Sequence, residues 1–360
     1  MRWSWSYLVL GALLGTACGV LLALLLEAKL GSLKPPELQL HLKSKSSLMP
    51  LISLVPDTLN VPMERFSEQR LTSSMAVVKY PYSYPFLINH PDKCQGETAP
   101  FLLILVMTQP QDTEARKAIR TTWGEEAIVP GVTIRRLFVL GLFPPHLRRH
   151  LQYQLEKENA ENQDLLQVGF LDTYSNLTLK TLMGLEWVAR YCQTAQYVLK
   201  VDGDVFLNPG FLVHQVLHPE RPPHPAFITG YIYKNRMPMR KPRYKWYMPR
   251  EAFPGTIYPP YCAGAGYVMS GYLALKVLAA AQKIKAIYLE DVFVGLCLKS
   301  LKVKPTPSPL DIFQFFGREY ERCDFNQLAI VHPIKPVDLL WIWVDFQKAN
   351  TTCPPSKVPA

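Results

Sequence analysis

No Cys-x-x-Cys pair occurs in this chain, and no cluster of cysteine with histidine has the spacing of a structural zinc site. A zinc-built fold is excluded, which leaves the seven cysteines for disulfide or thiol roles. No internal repeat is visible, so a solenoid or propeller is excluded as well. The pair Gly264-x-Gly266 lacks the third glycine and the helix of a dinucleotide fingerprint. Charged residues make up only 19% of the 360 positions against 48% hydrophobic ones, enough apolar material for a sizeable core. Wholesale disorder is therefore excluded. The formal net charge is +10, yet the basic residues are scattered or set beside proline, as from Arg236 to Arg250. No basic repeat or stacking-aromatic motif accompanies them, so nucleic acid is not an expected partner.

What the sequence does contain, first of all, is one uninterrupted apolar run. Tyr7 to Leu26 has about the length a helix needs to cross a bilayer. Arg2 alone precedes it as a charge, and Glu27 and Lys29 close it without a small-residue cleavage site, so residues 7–26 read as a retained signal-anchor. With residues 1–6 as a cytosolic tail, the bulk of the chain is expected to be lumenal. The tripeptides Asn176-Leu177-Thr178 and Asn350-Thr351-Thr352 are N-glycosylation acceptors that agree with this course. Cys18 lies within the run, leaving Cys94, Cys192, Cys262, Cys297, Cys323 and Cys353 for an oxidising compartment. These can make three disulfides, and the sequence does not choose among the fifteen pairings.

From Leu30 to Glu97 proline, serine, leucine and lysine dominate without sustained periodicity, which suits an extended stem over 27–97. The apolar stretch Leu48 to Val61 is the part of it that could pack on a domain. The folded part opens with the apolar run Phe101 to Val106, of buried-strand type. Glu114 to Thr122 reads as a helix with an arginine-rich face, Arg136 to Gly141 as a strand and Leu147 to Asn162 as a charged helix. Leu166 to Phe170 comes next as a strand, then Leu177 to Tyr191 as a helix and Tyr197 to Lys200 as a further strand. This alternation predicts an α/β domain over 98–360 with a largely parallel, doubly covered sheet. Ligands of such sheets sit beyond the carboxyl ends of the strands, which singles out the residues immediately after Lys200.

Those residues are Asp202-Gly203-Asp204, two carboxylates at i and i+2 with a glycine that lets the backbone turn. Hard oxygen ligands so placed suit Mn²⁺ or Mg²⁺, although taken alone the tripeptide equally describes a solvated turn with an Asx cap. In Tyr288-Leu289-Glu290-Asp291-Val292-Phe293 two adjacent carboxylates sit inside an apolar stretch, where burial is costly without a purpose. A desolvated carboxylate has a raised pKa and can act as a general base, and acidic residues at a helix start also complement its dipole. The segment Tyr258 to Val268 brings small residues at 263–266 between aromatics, fit either for close approach to a sugar or for a tight turn between core strands. His332, after the apolar Ala329-Ile330-Val331, is a nitrogen ligand for Mn²⁺ if the fold brings it to Asp204. The excess of basic residues is a solvated surface or a preference for an anionic nucleotide diphosphate or headgroup.

Taken in order, Arg116-Lys117-Ala118-Ile119-Arg120-Thr121-Thr122-Trp123, Asp202-Gly203-Asp204, Gly264 to Val268 and Glu290-Asp291-Val292 resemble the β1,3-galactosyltransferase family, which includes β1,3-N-acetylglucosaminyltransferases. The similarity spans roughly 98–353 and extends to Asn176 to Thr181 and Lys245-Trp246-Tyr247. It implies a Golgi type II membrane enzyme with a GT-A type nucleotide-sugar fold, inverting chemistry and dependence on Mn²⁺. It further implies Asp204 and His332 as metal ligands, Asp202 close to the uridine ribose and Asp291 as catalytic base. Arg116, Arg120 and Trp123 would build the donor-site floor, with Lys200, Gly264, Gly266 and Glu290 also on the donor side. Where many relatives carry a third acidic residue, this chain has Gly203.

The expected reaction moves galactose from UDP-galactose to a hydroxyl of a glycan on a glycoprotein or glycolipid, with inversion to a β1,3 linkage. UDP-N-acetylglucosamine as donor is the nearest alternative, since an acetamide asks only for a different pocket shape. The Lys245-Trp246-Tyr247 and Tyr258-Pro259-Pro260-Tyr261-Cys262 text resembles the galactosyl branch more closely. A non-catalytic lumenal binding protein or chaperone would be expected to have lost an acidic motif, and both are intact. A metal-dependent phosphohydrolase would need a matching lysine or threonine site that does not accompany the Asp-x-Asp.

Overall fold

Leu102–Met107 (β2), six apolar residues in a row, is buried on both faces and forms the middle of a seven-stranded sheet. The structure, a computed structural model, describes residues 84–96, 98–308, 311–348 and 353. All of these fall in one unit, Ser73–Ala360. The tail 1–6 and the anchor 7–26 read from the sequence lie outside the described residues. Among the described residues no helix is long and apolar enough to cross a membrane.

In chain order the main elements are β1 (Phe86–Ile88), β2, α1 (Thr113–Arg120), β3 (Ile134–Leu142), α2 (Pro145–Asn162) and β4 (Leu165–Leu171). Next are α3 (Leu177–Tyr191), β5 (Tyr197–Asp202), β6 (Phe206–Leu207), β7 (Ile228–Tyr233) and β8 (Tyr261–Ser270). Last come α4 (Gly271–Ala281), α5 (Glu290–Ser300), β9 (Phe313–Gln314), β10 (Ile330–Val331) and α6 (Pro336–Phe346). The large sheet has the order β1-β4-β3-β2-β5-β8-β7. Its centre, β4-β3-β2-β5, is parallel, as the alternating pattern predicts. Both flanks are antiparallel, so the sheet as a whole is mixed. Helices α3, α4 and α5 cover one face, through Trp187, Val277 and Phe293 among others. Helices α1, α2 and α6 and the small sheet β6-β10-β9 cover the opposite face, around Trp123, Phe206 and Trp343.

Two expectations are corrected at the domain's margins. The sheet begins at Phe86, inside the segment read as stem, because β1 pairs with β4 and Cys94 is bonded to Cys192 at the end of α3. Its residues alternate too briefly to announce a strand; tertiary pairing makes it one. The second correction concerns the cysteines. Cys94–Cys192 and Cys323–Cys353 are disulfides, whereas Cys262 and Cys297 are free thiols buried in the core, so among the described residues two bridges form rather than three. Because Cys94–Cys192 closes a loop of sequence separation 98, replacing both cysteines by alanine should cost about 2–4 kcal/mol of stability. Urea unfolding of the full chain measures this, and an unchanged midpoint would refute it.

Candidate active site

Strand β2 lies between β3 and β5, and the chain winds outward from it in both directions, so the sheet's switch point falls between β2 and β5. Their carboxyl ends stand side by side, with Met107 opposite Asp202. This is the crevice in which open α/β sheets bind ligands. Gly203 makes the turn possible: its backbone N–H donates to Met107 O at 3.1 Å, and a Cβ there would stand 2.8 Å from Thr108 Cγ2. Trp123, buried after α1, supports the same turn from behind through an indole N–H donated to Val205 O at 3.0 Å.

One lysine unites the acidic motifs. Lys200, on β5 and only 4% exposed, donates to Asp202 Oδ1 at 2.7 Å and to the Gly264 carbonyl, and stands 3.7 Å from Glu290 Oε2. Burial opposes its charge, but Asp202 and Glu290 outweigh burial and hold the ammonium above its ordinary pKa. Glu290 is itself buried, accepts from the Tyr267 hydroxyl at 2.5 Å, and is raised by desolvation despite Lys200. Lys200 and Glu290 thus build the wall of the crevice, whereas Asp202 presents about a third of its side chain to solvent.

Asp291 opens α5 beside Glu290. Its carboxylate accepts from Val292 N–H at 2.8 Å and from the backbone of Gly264, yet burial and the neighbouring Glu290 charge push its pKa up to about 7. A carboxylate with that pKa is suited to accept a proton near neutrality. Tyr174, Tyr233, Tyr258 and Tyr261 all lie near enough to feel its charge, and burial is the first cause of the rise in each of their pKa values.

Asp204 and His332 meet because β6, just after the Asp-x-Asp, pairs with β10, just before the histidine; Phe206 is opposite Val331. Ile334 N–H then donates to Asp204 O at 2.7 Å, which places His332 Nε2 3.5 Å from Asp204 Oδ2. Desolvation alone would raise the Asp204 carboxyl, but His332 holds it below its ordinary value and Asp204 in turn raises the imidazole. One oxygen and one nitrogen donor at this spacing, with Asp204 about half exposed, fit a first-row divalent ion. Among the described residues no group of three or more acidic, histidine or cysteine side chains could enclose an ion alone. The pair suits an ion whose other positions are taken by substrate oxygens and water.

The arginines of α1, expected in the donor-site floor, are held by carboxylates of the domain itself. Arg116, fully buried, grips Glu158 of α2 with two donors at 2.8 and 2.7 Å. Its remaining donors serve Gln109 O, Pro110 O and Thr113 Oγ1. Arg120 bridges Glu158 and Asp164, and Arg136 joins Asp164 at 2.5 Å. Arg116 therefore braces the loop after β2, and Arg120 and Arg136 tie α1 and β3 to Glu158 and Asp164. Gly266 is likewise a packing position, since a Cβ would stand 2.6 Å from Ile330 Cδ1, the contact that lets β10 lie against β8. Gly264, by contrast, lies beside both carboxylates of the acidic pair, with a virtual Cβ 3.4 Å from Glu290 Oε2 and 3.7 Å from Asp291 Oδ2.

Of the two glycosylation tripeptides, the first places Asn176 at the N-cap position of α3 without a side-chain capping bond; its amide donates instead to Leu171 O at 2.8 Å, and the Thr178 hydroxyl donates to Ile287 O. Asn350 lies outside the described residues. Lys180 had no role in the sequence reading, yet it is buried between Asp172 and Thr108 O at 2.7 and 2.9 Å, tying the ends of β4 and β2 together. A lysine inside an otherwise apolar helical run was the available signal.

The family model described as Galactosyltransferase matches residues 114–309, more than half of the chain. Among curated proteins, mouse Beta-1,3-galactosyltransferase 2 is 42% identical over 268 residues, covering 74% of this chain and 63% of that protein. Its human counterpart is 41% identical over 268 residues with the same coverages. Mouse Beta-1,3-galactosyltransferase 1 is 40% identical over 274 residues, covering 76% of this chain and 82% of that protein. The chain thus spans a little under two thirds of the length of the first two relatives and over four fifths of the third.

Proposed function

This chain belongs to the galactosyltransferase family, and from that premise we propose that it is an inverting enzyme transferring galactose from UDP-galactose to a glycan hydroxyl in β1,3 linkage. The observation that carries this reading is Lys200, a single buried cation that draws the Asp-x-Asp turn and the Glu290-Asp291 pair into one crevice at the switch point of the sheet. A binding protein would have no need for a carboxylate poised near pH 7 in such a place.

Asp291 takes the proton from the acceptor hydroxyl as its oxygen attacks the anomeric carbon from the face opposite UDP. A single displacement of an α-linked donor gives the β product and needs no covalent enzyme intermediate. Asp202 offers its exposed oxygen to the ribose while Lys200 fixes its orientation. Asp204 and His332 are the residues that would hold Mn²⁺, which when bound neutralises charge on the diphosphate leaving group. The fold is read as the GT-A type. Residues 7–26 anchor the chain in the Golgi membrane with the catalytic domain lumenal, a placement that two disulfides in the domain support. Asn176 and Asn350 are the proposed glycan carriers.

The test is transfer by the full chain in detergent micelles, with a panel of UDP-sugars and simple glycosides, in Mn²⁺ or EDTA. Mn²⁺-dependent transfer from UDP-galactose is expected, and transfer from UDP-N-acetylglucosamine alone would refute the donor. Asp204→Ala should weaken Mn²⁺-dependent UDP binding at least about tenfold in calorimetry, by analogy with losses at metal sites. An unchanged affinity would remove Asp204 from the metal site.

A further inference from the structure

The two carboxylates that open α5 are neighbours in the chain, yet their surroundings differ. Lys200 of β5 and Tyr267 of β8 stand directly opposite one another in the antiparallel ladder, so their side chains leave the sheet on the same face. That face is the one α5 covers, and both side chains converge on Glu290. The Tyr267 hydroxyl donates to Glu290 Oε1 at 2.5 Å, while the Lys200 ammonium stands 3.7 Å from Oε2 and 6.0 Å from the centre of the Tyr267 ring. Each oxygen of Glu290 thus faces a donor, and all three residues are at most 5% exposed.

Asp291 is held in another way. The bonds its carboxylate accepts come from the backbone, from Val292 N–H at 2.8 Å and from Gly264, whose carbonyl in turn accepts from Lys200. Two adjacent carboxylates divide their protons unequally when their environments differ. A carboxylate whose oxygens meet an O–H and an ammonium keeps its charge, because a proton on it would point at a donor. Burial works against the Glu290 charge and Asp202 adds to that effect, so the charge depends on Lys200 and Tyr267. The other ionisable neighbours of the pair are Tyr174, Tyr233, Tyr258, Tyr261 and Cys262. Burial raises all five first of all, so they stay neutral near pH 7 and supply no charge there.

We infer that Tyr267 is a positioning residue for the base: together with Lys200 it fixes the negative charge of the acidic pair on Glu290, so that the proton the pair exchanges belongs to Asp291. The inference rests on the reading of Asp291 as the base. Without the Tyr267 hydroxyl, Glu290 is protonated more readily and becomes neutral near pH 7. Asp291 then loses the charged neighbour that helps to raise it, gives up its own proton at lower pH and is a weaker base.

The test uses the full chain in detergent micelles and two readouts. Infrared spectra report the carbonyl band of a protonated carboxyl, assigned to Glu290 by its loss when Glu290→Gln is added. The pH dependence of kcat/KM for UDP-galactose, with a simple glycoside as acceptor, reports the base. At about pH 7 the Glu290 band should be absent from the parent and present in Tyr267→Phe. In the same variant the rise of kcat/KM should move down by about one pH unit and its plateau should fall about three- to tenfold, with UDP affinity in calorimetry within about twofold. Glu290→Gln should lower the inflection as well, and Tyr267→Phe added to it should move it no further. A purely structural Tyr267 would lower the plateau and leave the inflection in place. Tyr267→3-fluorotyrosine, whose hydroxyl is the stronger donor, should move the inflection up, and it decides the matter where urea unfolding shows that phenylalanine impairs the fold. A Glu290 band in the parent near pH 7, no such band in a folded Tyr267→Phe, or an inflection that stays in place or moves the other way overturns the proposal. A parent without transfer, or without an inflection near pH 7, would count against Asp291 as the base, and the infrared band would still decide whether Tyr267 holds the charge on Glu290.

Discussion

Asp291→Asn should lower galactosyl transfer by about 10²–10⁴-fold while UDP affinity stays within about twofold, because the amide keeps the shape of the side chain and cannot accept the proton. The pH dependence tests the same assignment from the other side. Burial and Glu290 raise the Asp291 carboxyl to about 7, so below that pH the group is protonated and cannot serve as a base. kcat/KM measured on the parent enzyme should therefore climb as pH rises through about 7 and level off above it. A flat profile between about pH 5.5 and 8, or an Asp291→Asn variant of near-parental rate, would remove Asp291 from the reaction. Loss of UDP binding in the variant would move it to the donor side.

Arg116→Ala should destabilise the fold by about 3–5 kcal/mol, the usual consequence of deleting one partner from a buried ion pair. Its guanidinium is fully buried and fork-bonded to Glu158, so alanine leaves a carboxylate in the core with only Arg120 to answer it. Lysine in its place cannot reproduce the fork and should recover little. Burial alone would raise Glu158 and Asp164, but their arginines hold both below the ordinary carboxylate range. Carboxylates lowered in this way contribute stability that is present above the unfolded-state carboxylate pKa and is lost as pH falls through the lowered value. Urea unfolding at neutral and acid pH checks both points. A Michaelis constant for UDP-galactose that changes in Arg116→Ala at unchanged stability would instead assign the arginine to the donor site.

The sheet's centre was readable because each of its strands is an apolar run bounded by polar text. Leu177–Tyr191 coincides with its predicted helix, and the other boundaries move by only a residue or two. The acidic residues were readable for a related reason: carboxylates embedded in apolar surroundings must have a use. What could not be read locally was partnership. Arg116 and Arg120 show one face of a helix, but nothing in that octapeptide announces Glu158 and Asp164, forty-odd residues away. The meeting of His332 with Asp204 depends on two-residue strands, β6 and β10, too short to carry a periodic signal. The segment around Gly264 admitted a tight turn, and it is the ten-residue strand β8, because small residues there answer the pressure of α5 and Ile330. Which cysteines pair is equally a matter of distance in space.

Strand β1 bears on how these molecules behave toward one another in a crowded solution. It is only three residues long, yet it occupies the outer hydrogen-bonding row of β4, with Cys94 fastened nearby to α3. A chain shortened to begin at residue 98 would keep every residue of the crevice and still present β4 as a bare edge, with Cys192 left as an unpaired thiol. Bare edges recruit other strands. Self-association of a truncated enzyme would then be the loss of a three-residue cover, and beginning the chain upstream of Tyr84 should restore monodispersity.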